Sequence, residues 1–462
     1  MSEEWSQLLS ELNKMSRGVE MAPSYLKHLM QMFVSDFDAS VSERLDIKFW
    51  SKLKALMDEM SRASENDRLV DLNVQNLAIG FLTDLSLLVH CHYKMPNYGK
   101  DISQQLTWSP EVSVERKPVK SRRNCRIFMA TILLRMGDLQ RYKGNITRAR
   151  EFYEQSCRIN PADGAVWNQL GLLSAMSAQF LESSYFHTRA LHASRAFSPA
   201  SGNLSAIFKK FANKDLSKSM PNKDLYLACL AKIHFLLEIE DSDRCLKKIG
   251  ELAATSKEMI VPLMSVYKHL EGGTDLEHRA IKYVKIVWET SYRSLLKTIE
   301  EKLHASDILT EKTATLLNLL VLLHSAPNFV RDSQDSETSR SVGSIEARLT
   351  HSSKHIESTD DTIKDLDGFA YFDCLQKIRY PLKKKQLVEI LNKKTNTETE
   401  DEEEIDEENS SLDEEDEYDS LQRQISEERV QSPLSSDEET LQRGRRRGPN
   451  LTDSIDTDED DF

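Results

Sequence analysis

The chain lacks paired cysteines, long apolar runs and the short motifs of common enzymes. Its six cysteines are scattered without a C-x-x-C pair, which argues against both a disulfide framework and a zinc site. No stretch of about 18 uncharged apolar residues occurs, and MSEEWSQLLSELNK is charged within its first four residues, so we expect neither a membrane span nor a secretory signal. There is no Gly-rich phosphate loop, nucleophile elbow or H-E-x-x-H motif. These absences predict an intracellular binding protein that is not an enzyme and holds no metal or cofactor.

The net charge of -14 is unevenly distributed along the 462 residues. Residues 398–462 contain 26 acidic and 6 basic side chains, whereas the preceding 397 residues contain 55 basic and 49 acidic ones. A mildly basic body is therefore followed by a strongly acidic tail. This asymmetry indicates a body that attracts anions and a tail that interacts on its own. A purely solubilising tail is the alternative.

Helical periodicity dominates the first 325 residues. Leu77, Phe81, Leu85 and Leu88 recur every three or four residues, which is typical of an amphipathic helix, and similar patterns follow each other along the body. We therefore predict an all-α superhelix of stacked helix pairs, followed by a disordered acidic tail. The predicted segments are a first helical domain over 1–215, helical hairpins over 216–326, a disordered linker over 327–366, a short helical segment over 367–394 and the tail over 395–462.

Two internal repeats lie within residues 125–200. A shift of 34 residues superposes Gly137 on Gly171, Leu133 on Trp167 and small residues elsewhere. This period, with small residues at fixed places, is the signature of tetratricopeptide helix pairs, in which small side chains let two antiparallel helices touch.

One set of basic residues suggests an anion-binding site. Arg141-Tyr142 ends the first repeat helix, and Lys54 lies among lysines near Phe49-Trp50 on an earlier helix. If these helices line one surface, Lys54 and Arg141 can close on a phosphate, with the Tyr142 hydroxyl as an extra donor. The planar guanidinium of arginine donates two bonds to phosphate oxygens, while lysine adds a point charge. The alternative is that these are ordinary exposed helix charges.

Four short motifs in the repeat region resemble those of a known family. They are Gly137-Asp138-Leu139-Gln140-Arg141-Tyr142, Phe152-Tyr153, Asn168-Gln169-Leu170 and Asn203-Leu204. Together they are similar, over about 75 residues, to the central segment of the Est/SMG family, the adaptors of nonsense-mediated mRNA decay and yeast telomere maintenance. The three-residue turn after Lys143 resembles the SMG-seven branch of that family.

The resemblance implies a fold, a ligand and partners. It implies that the first domain, over 1–215, is similar to 14-3-3 proteins and binds phosphoserine peptides of the decay RNA helicase through Lys54, Arg141 and Tyr142. A register shifted by one residue would place Ala55 at the position of Lys54. The resemblance also implies that Asn168 holds the peptide backbone. It further implies a heterodimer with an SMG-five-like paralogue, which would bring in a protein phosphatase or mRNA decay factors and promote dephosphorylation of the helicase.

Two other functions remain open at this point. A co-chaperone-type repeat protein would bind the C-terminal carboxylate of a chaperone with side chains from three repeats, but this sequence contains only two convincing repeats. A telomerase-associated, nucleic-acid-binding member of the same family would need a more basic body than this one. For location we expect the cytoplasm, with shuttling to the nucleus if the RGRRRGP segment over 443–449 acts as an import signal.

Overall fold

The computed structural model shows an all-α chain in which consecutive helices pack side by side. It describes residues 3–14, 22–63, 68–96, 116–216, 219–239, 242–254, 256–270, 275–305, 316–320, 323 and 336–351. The helices are α1 Glu3–Lys14, α2 Ala22–Ser35, α3 Phe37–Ser42, α4 Leu45–Ala63, α5 Arg68–His92, α6 Arg122–Tyr142, α7 Ile146–Ile159, α8 Gly164–Met176, α9 Phe180–Leu191, α10 Ala200–Ala212, α11 Asn222–His234, α12 Ser242–Ala253, α13 Lys257–Leu270, α14 Asp275–Ala305 and α15 Ser336–His351. Two short strands, β1 Tyr93–Lys94 and β2 Lys117–Pro118, pair in parallel. The predicted all-α fold is confirmed.

The helix pairs α6–α7 and α8–α9 correspond to the two predicted repeats. A Cβ added to Gly137 would lie 2.4 Å from the ring of Tyr153, and one added to Gly171 would lie 2.6 Å from the ring of His187. In both pairs the glycine on the first helix receives the ring on the second, and the two contacts are related by the 34-residue period. The small residues therefore act as predicted, by letting paired helices touch.

Side-chain caps and one glycine set the ends of the helices around the first repeat. The Ser121 hydroxyl accepts a hydrogen bond from the Asn124 amide at 3.2 Å, and Asn145 caps α7 in the same way through the Arg148 amide at 3.4 Å. Between α6 and α7, Gly144 has a φ of 78°, a conformation that costs glycine little. The chain therefore reverses directly after Arg141-Tyr142-Lys143.

The buried apolar residues of the described part form two clusters that meet at α6. The first core contains buried residues of α1 to α6, from Trp5 to Leu139, together with Ile159. The second core runs from Leu134 on α6 to Leu349 on α15. Because α6 contributes to both clusters, it is the seam between the two halves of the helical body.

Two features of the N-terminal helices stand out, a break between α3 and α4 and a long apolar helix, α5. Arg44 adopts a φ of 54° and separates α3, which ends at Ser42, from α4, which begins at Leu45. Within α5, Leu72–His92 is long and apolar enough, by length and composition, to cross a membrane. Buried residues on this helix, such as Leu82 and Leu85, belong to the first core, and α5 packs against α2, α4 and α6.

The predicted linker over 327–366 is wrong for 16 of its residues, because Ser336–His351 form α15. Thr338, Ile345 and Leu349 are buried, and Val342 packs against the second core beside them. These four positions recur at intervals of four, three and four residues, which places them on one helix face. A single narrow stripe is enough to order this Ser-rich segment because α14 packs along it.

Two further predictions concern segments that the structure leaves undescribed. The short helical segment over 367–394 and the acidic tail over 395–462 both lie outside the described residues. The boundary between 215 and 216 stays a prediction.

Candidate phosphate-binding site

Helices α4 and α6 run parallel where they meet, and two contacts define their register. The Thr131 side chain on α6 lies within hydrogen-bonding reach of the buried carboxylate of Asp46 on α4. One turn further along, the Arg135 guanidinium lies 5.0 Å from the centre of the Trp50 ring. Both pairs are separated by the same number of residues, so the two helices advance together.

This register places Lys54 next to the end of α6. Lys54 follows Trp50 by four residues and therefore shares its face of α4. The same offset sets Lys54 level with Leu139, which is two to three residues, or about 3–5 Å along the helix axis, before Arg141 and Tyr142. Lys54 is half-buried, whereas Ala55, the residue that a shifted alignment would favour, is exposed. The geometry therefore supports Lys54 as the basic residue of α4 beside the Arg-Tyr pair.

The other lysines of this helix point elsewhere. Lys52 lies 5.4 Å from the centre of the Tyr25 ring on α2, and Lys48 is exposed. The basic cluster suggested by the sequence is therefore dispersed around α4, and Lys54 is its member four residues after Trp50, the residue that contacts α6.

Arg141 and Tyr142, at the end of α6, are the other two residues of the proposed site. The Arg141 guanidinium lies 4.8 Å from the centre of the Tyr142 ring, and both side chains are half-buried. Within the described residues, no carboxylate forms an ion pair with Arg141, and the carboxylate of nearby Asp138 pairs with Arg135 instead. A guanidinium that keeps its charge beside a second cation is suited to binding an anion.

A buried polar network lies behind Arg141. The Asp138 carboxylate is fully buried and accepts hydrogen bonds from Arg135 at 3.1 Å and from the Tyr153 hydroxyl at 2.9 Å. The Arg141 guanidinium lies within hydrogen-bonding reach of the same hydroxyl. Burial lowers the pKa of Arg141, but nearby Tyr142, Tyr153 and Asp138 outweigh it and raise the pKa above its ordinary value. Arg141 therefore stays charged at any physiological pH.

Asp138 and Tyr153 were not among the predicted site residues. The repeat pattern held one signal for Tyr153, because it occupies the ring position opposite Gly137. The hydrogen bond from Tyr153 to Asp138 had no such signal, since it joins side chains on two different helices.

Asn168 lies on α8, and its contacts run to α9 and α10. It is 4% exposed, and its amide oxygen accepts hydrogen bonds from His187 at 3.0 Å and from Asn203 at 2.9 Å. Burial lowers the pKa of His187 to about 3, so its ring is neutral, and Nδ1 donates because the Asn168 oxygen can only accept. Asn168 thus orients Asn203, which is half-buried and is the member of this group that reaches the surface. Asn203 belongs to one of the four family motifs in the sequence, but it was not among the predicted site residues.

The described residues hold no group of three or more His, Cys, Asp or Glu side chains that could bind a metal ion. His90 and His92 instead donate hydrogen bonds from Nδ1 to carbonyl oxygens one turn earlier in α5.

Comparisons with known proteins identify the family. A family described as Est1 DNA/RNA binding domain matches residues 149–360. A chain in the solved structure of the C. elegans SMG5–SMG7 complex is 61% identical, with a TM-score of 0.78, and the match covers 85% of this chain and 98% of that one. The chain belongs to the Est/SMG family.

More distant members of the Est/SMG family match over shorter segments or in fold alone. The nonsense-mediated mRNA decay factor SMG7 of Danio rerio is 23% identical over 222 residues, which is 44% of this chain but 18% of that protein. The chain thus spans less than a fifth of that relative. A chain in the crystal structure of Est1 and Cdc13 is 13% identical with a TM-score of 0.54, covers 84% of this chain and 93% of that one, and shows a shared fold.

Proposed function

We propose that this Est/SMG protein is a non-enzymatic adaptor in nonsense-mediated mRNA decay. On this proposal it binds phosphoserine segments of the phosphorylated decay helicase through Lys54, Arg141 and Tyr142. The observation that carries the proposal is the Arg141 guanidinium at the end of α6, which forms no ion pair within the described residues and lies level to within a turn with Lys54 on the parallel helix α4. Relatives named as decay factors support the pathway.

The chemistry favours a phosphate over a simple carboxylate. A phosphoserine carries a charge of about -1.5 to -2 at neutral pH and three acceptor oxygens. Arg141 offers a planar pair of donors, Lys54 a second charge and Tyr142 a hydroxyl, so all three oxygens can be satisfied at once. A carboxylate has one charge and two oxygens and would leave part of this donor set unused.

The test is a fluorescence-anisotropy titration of the full chain with a phosphoserine peptide from the decay helicase and with its unphosphorylated twin. We expect at least a tenfold preference for the phosphorylated peptide, and we expect Arg141→Glu to abolish that preference. Arg141→Gln is a second variant that removes the cation without placing a new carboxylate near Asp138. Equal affinity for both peptides in the native protein would refute the phosphate site.

Arg148→Glu provides the matched control. Arg148 lies on the adjacent helix α7, is 39% exposed and pairs with Glu151, so its reversal changes the net charge equally at a site away from α4. We expect native affinity from Arg148→Glu. A loss equal to that of Arg141→Glu would mean that net charge, and not a local site, governs binding.

We further propose that the chain pairs with an SMG5-like paralogue. The support is the 61% identity to a chain from a complex of SMG5 with SMG7, since an interface is retained more readily at this level of similarity than at 23%. Co-expression with the SMG5-like protein of the same organism, followed by light scattering, should give a 1:1 mass. Two separately eluting proteins would exclude a stable heterodimer.

A further inference from the structure

We propose that Tyr153 is a positioning residue that holds Arg141 in place for a phosphate without neutralising it. This inference rests on the proposed function. Three groups carry it: the Asp138 carboxylate, the Tyr153 hydroxyl between that carboxylate and Arg141, and Arg135, which takes up the charge of Asp138.

The Asp138 carboxylate is fully committed to other partners. One oxygen accepts from Arg135 at 3.1 Å, and the other accepts from the Tyr153 hydroxyl at 2.9 Å. Asp138 is fully buried and Arg135 is 7% exposed, so this ion pair is largely removed from water. The negative charge of Asp138 is therefore paired directly with Arg135, and it acts on Arg141 without forming an ion pair with it.

The Tyr153 hydroxyl connects the two halves of the network. It donates its hydrogen to Asp138, which leaves the oxygen lone pairs free to face the Arg141 guanidinium within hydrogen-bonding reach. Burial, followed by the nearby Asp138 charge, raises the pKa of Tyr153, so the hydroxyl keeps its proton. A neutral hydroxyl can fix the orientation of a guanidinium and still leave its full charge for a ligand.

The ring of Tyr153 is fixed by the backbone around it. Tyr153 is completely buried, and its ring lies where a Cβ of residue 137 would be, so only a glycine at that position leaves room for it. Arg141 follows Gly137 by four residues and thus lies one turn further along the same face of α6. The contact between α6 and α7 that closes the repeat therefore also sets the direction of the Arg141 side chain.

The second repeat has no equivalent of this network. The residue related to Tyr153 by the 34-residue period is His187, and the residue related to Arg141 is Ala175. His187 bonds to Asn168 and has no guanidinium to orient. The hydroxyl-bearing ring and the arginine thus occur together in the first repeat, as a joint role requires.

The test compares Tyr153→Phe with the native full chain in binding the phosphoserine peptide and its unphosphorylated twin. Phenylalanine keeps the ring that fills the space above Gly137 and removes the hydroxyl alone. We expect about a tenfold loss of affinity for the phosphorylated peptide, because the guanidinium must then be ordered on binding, and no change for the unphosphorylated one.

Tyr226→Phe is the matched control for lost stability. Its hydroxyl is also fully buried and donates to the Met259 carbonyl, far along the chain in the second core. Tyr153→Phe loses the buried bond to Asp138 and the contact with Arg141, and Tyr226→Phe loses one buried hydrogen bond, so titrations below both melting temperatures separate positioning from folding. We expect native peptide affinity from Tyr226→Phe. An equal loss in both variants would make Tyr153 merely structural.

The outcomes distinguish this inference from the proposed function. If the native chain prefers the phosphorylated peptide and Tyr153→Phe binds it with native affinity, the positioning role is refuted and the phosphate site stands. If the native chain shows no preference, both are refuted. A selective loss in Tyr153→Phe alone would establish both.

Discussion

At the residue scale, Gly137 lies directly against the Tyr153 ring. A methyl group there would lie 2.4 Å from an aromatic carbon of a fully buried side chain, so the ring or the helix would have to move. This contact links fold and site, because the same ring carries the hydroxyl that faces Arg141. The tight packing of the repeat is therefore also a requirement of the proposed binding chemistry.

We expect Gly137→Ala to destabilise the protein by about 1–3 kcal/mol, as overpacking of a core typically does. The measurement is denaturant unfolding followed by circular dichroism. Gly202→Ala is the control, since Gly202 lies in α10 and nothing approaches its Cβ position within 4 Å. There the substitution should be neutral or stabilising by up to about 1 kcal/mol, because alanine favours helix. Native stability in Gly137→Ala would contradict the contact.

At the element scale, α15 shows how little apolar surface is needed to order a polar segment. Its buried stripe consists of Thr338, Ile345 and Leu349, with Val342 partly buried, and the receiving surface belongs to α14. An isolated helix of this length is marginal in water, so the docking on α14 supplies its stability. Removing one buried contact should therefore release the whole element.

We expect Ile345→Asp to detach α15, because a carboxylate would be placed at a position with no exposure in the second core. Hydrogen exchange read by mass spectrometry should show faster exchange in peptides from 336–351. Ala347→Asp adds the same charge two residues away at an exposed position and should leave the exchange unchanged. Equal exchange in both variants would mean that the buried stripe does not hold the helix.

The helical periodicity and the 34-residue repeat were sufficient to predict the fold. The apolar spacing defines each helix locally, and small residues such as Gly137 and Gly171 mark where helices touch. The linker prediction failed at α15 because composition averages over a segment, whereas burial depends on four positions of one face. A stripe that narrow becomes meaningful only once α14 is in place beside it.

The proximity of the proposed site residues was predictable where they are neighbours in sequence and not where they meet through packing. Arg141 and Tyr142 are adjacent and end one helix, so their proximity follows from the motif. The position of Lys54 depends on the parallel register of α4 and α6, which two buried contacts define. The bond between Asp138 and Tyr153 depends on how α7 folds back, and no local pattern encodes it.

At the scale of the whole molecule, the proposed site lies where the two cores meet. Lys54 is on a helix of the first core, Tyr153 belongs to the second, and α6 contributes buried side chains to both. A phosphate held by α4 and α6 would therefore contact elements whose burial depends on different clusters. Both halves of the helical body must therefore stay folded for the proposed site to exist.

Because of this position, binding of a phosphorylated ligand would stabilise the whole folded protein against degradation. A ligand that binds only the folded state stabilises it by RT ln(1 + [L]/Kd), which is about 2.7 kcal/mol at a hundredfold excess over Kd. Stabilisation of that size lowers the unfolded fraction available to proteases by about a hundredfold. Because the seam at α6 ties both halves to one ligand, a phosphorylated partner would lengthen the lifetime of this chain, and the abundance of the adaptor would follow the supply of its phosphorylated target.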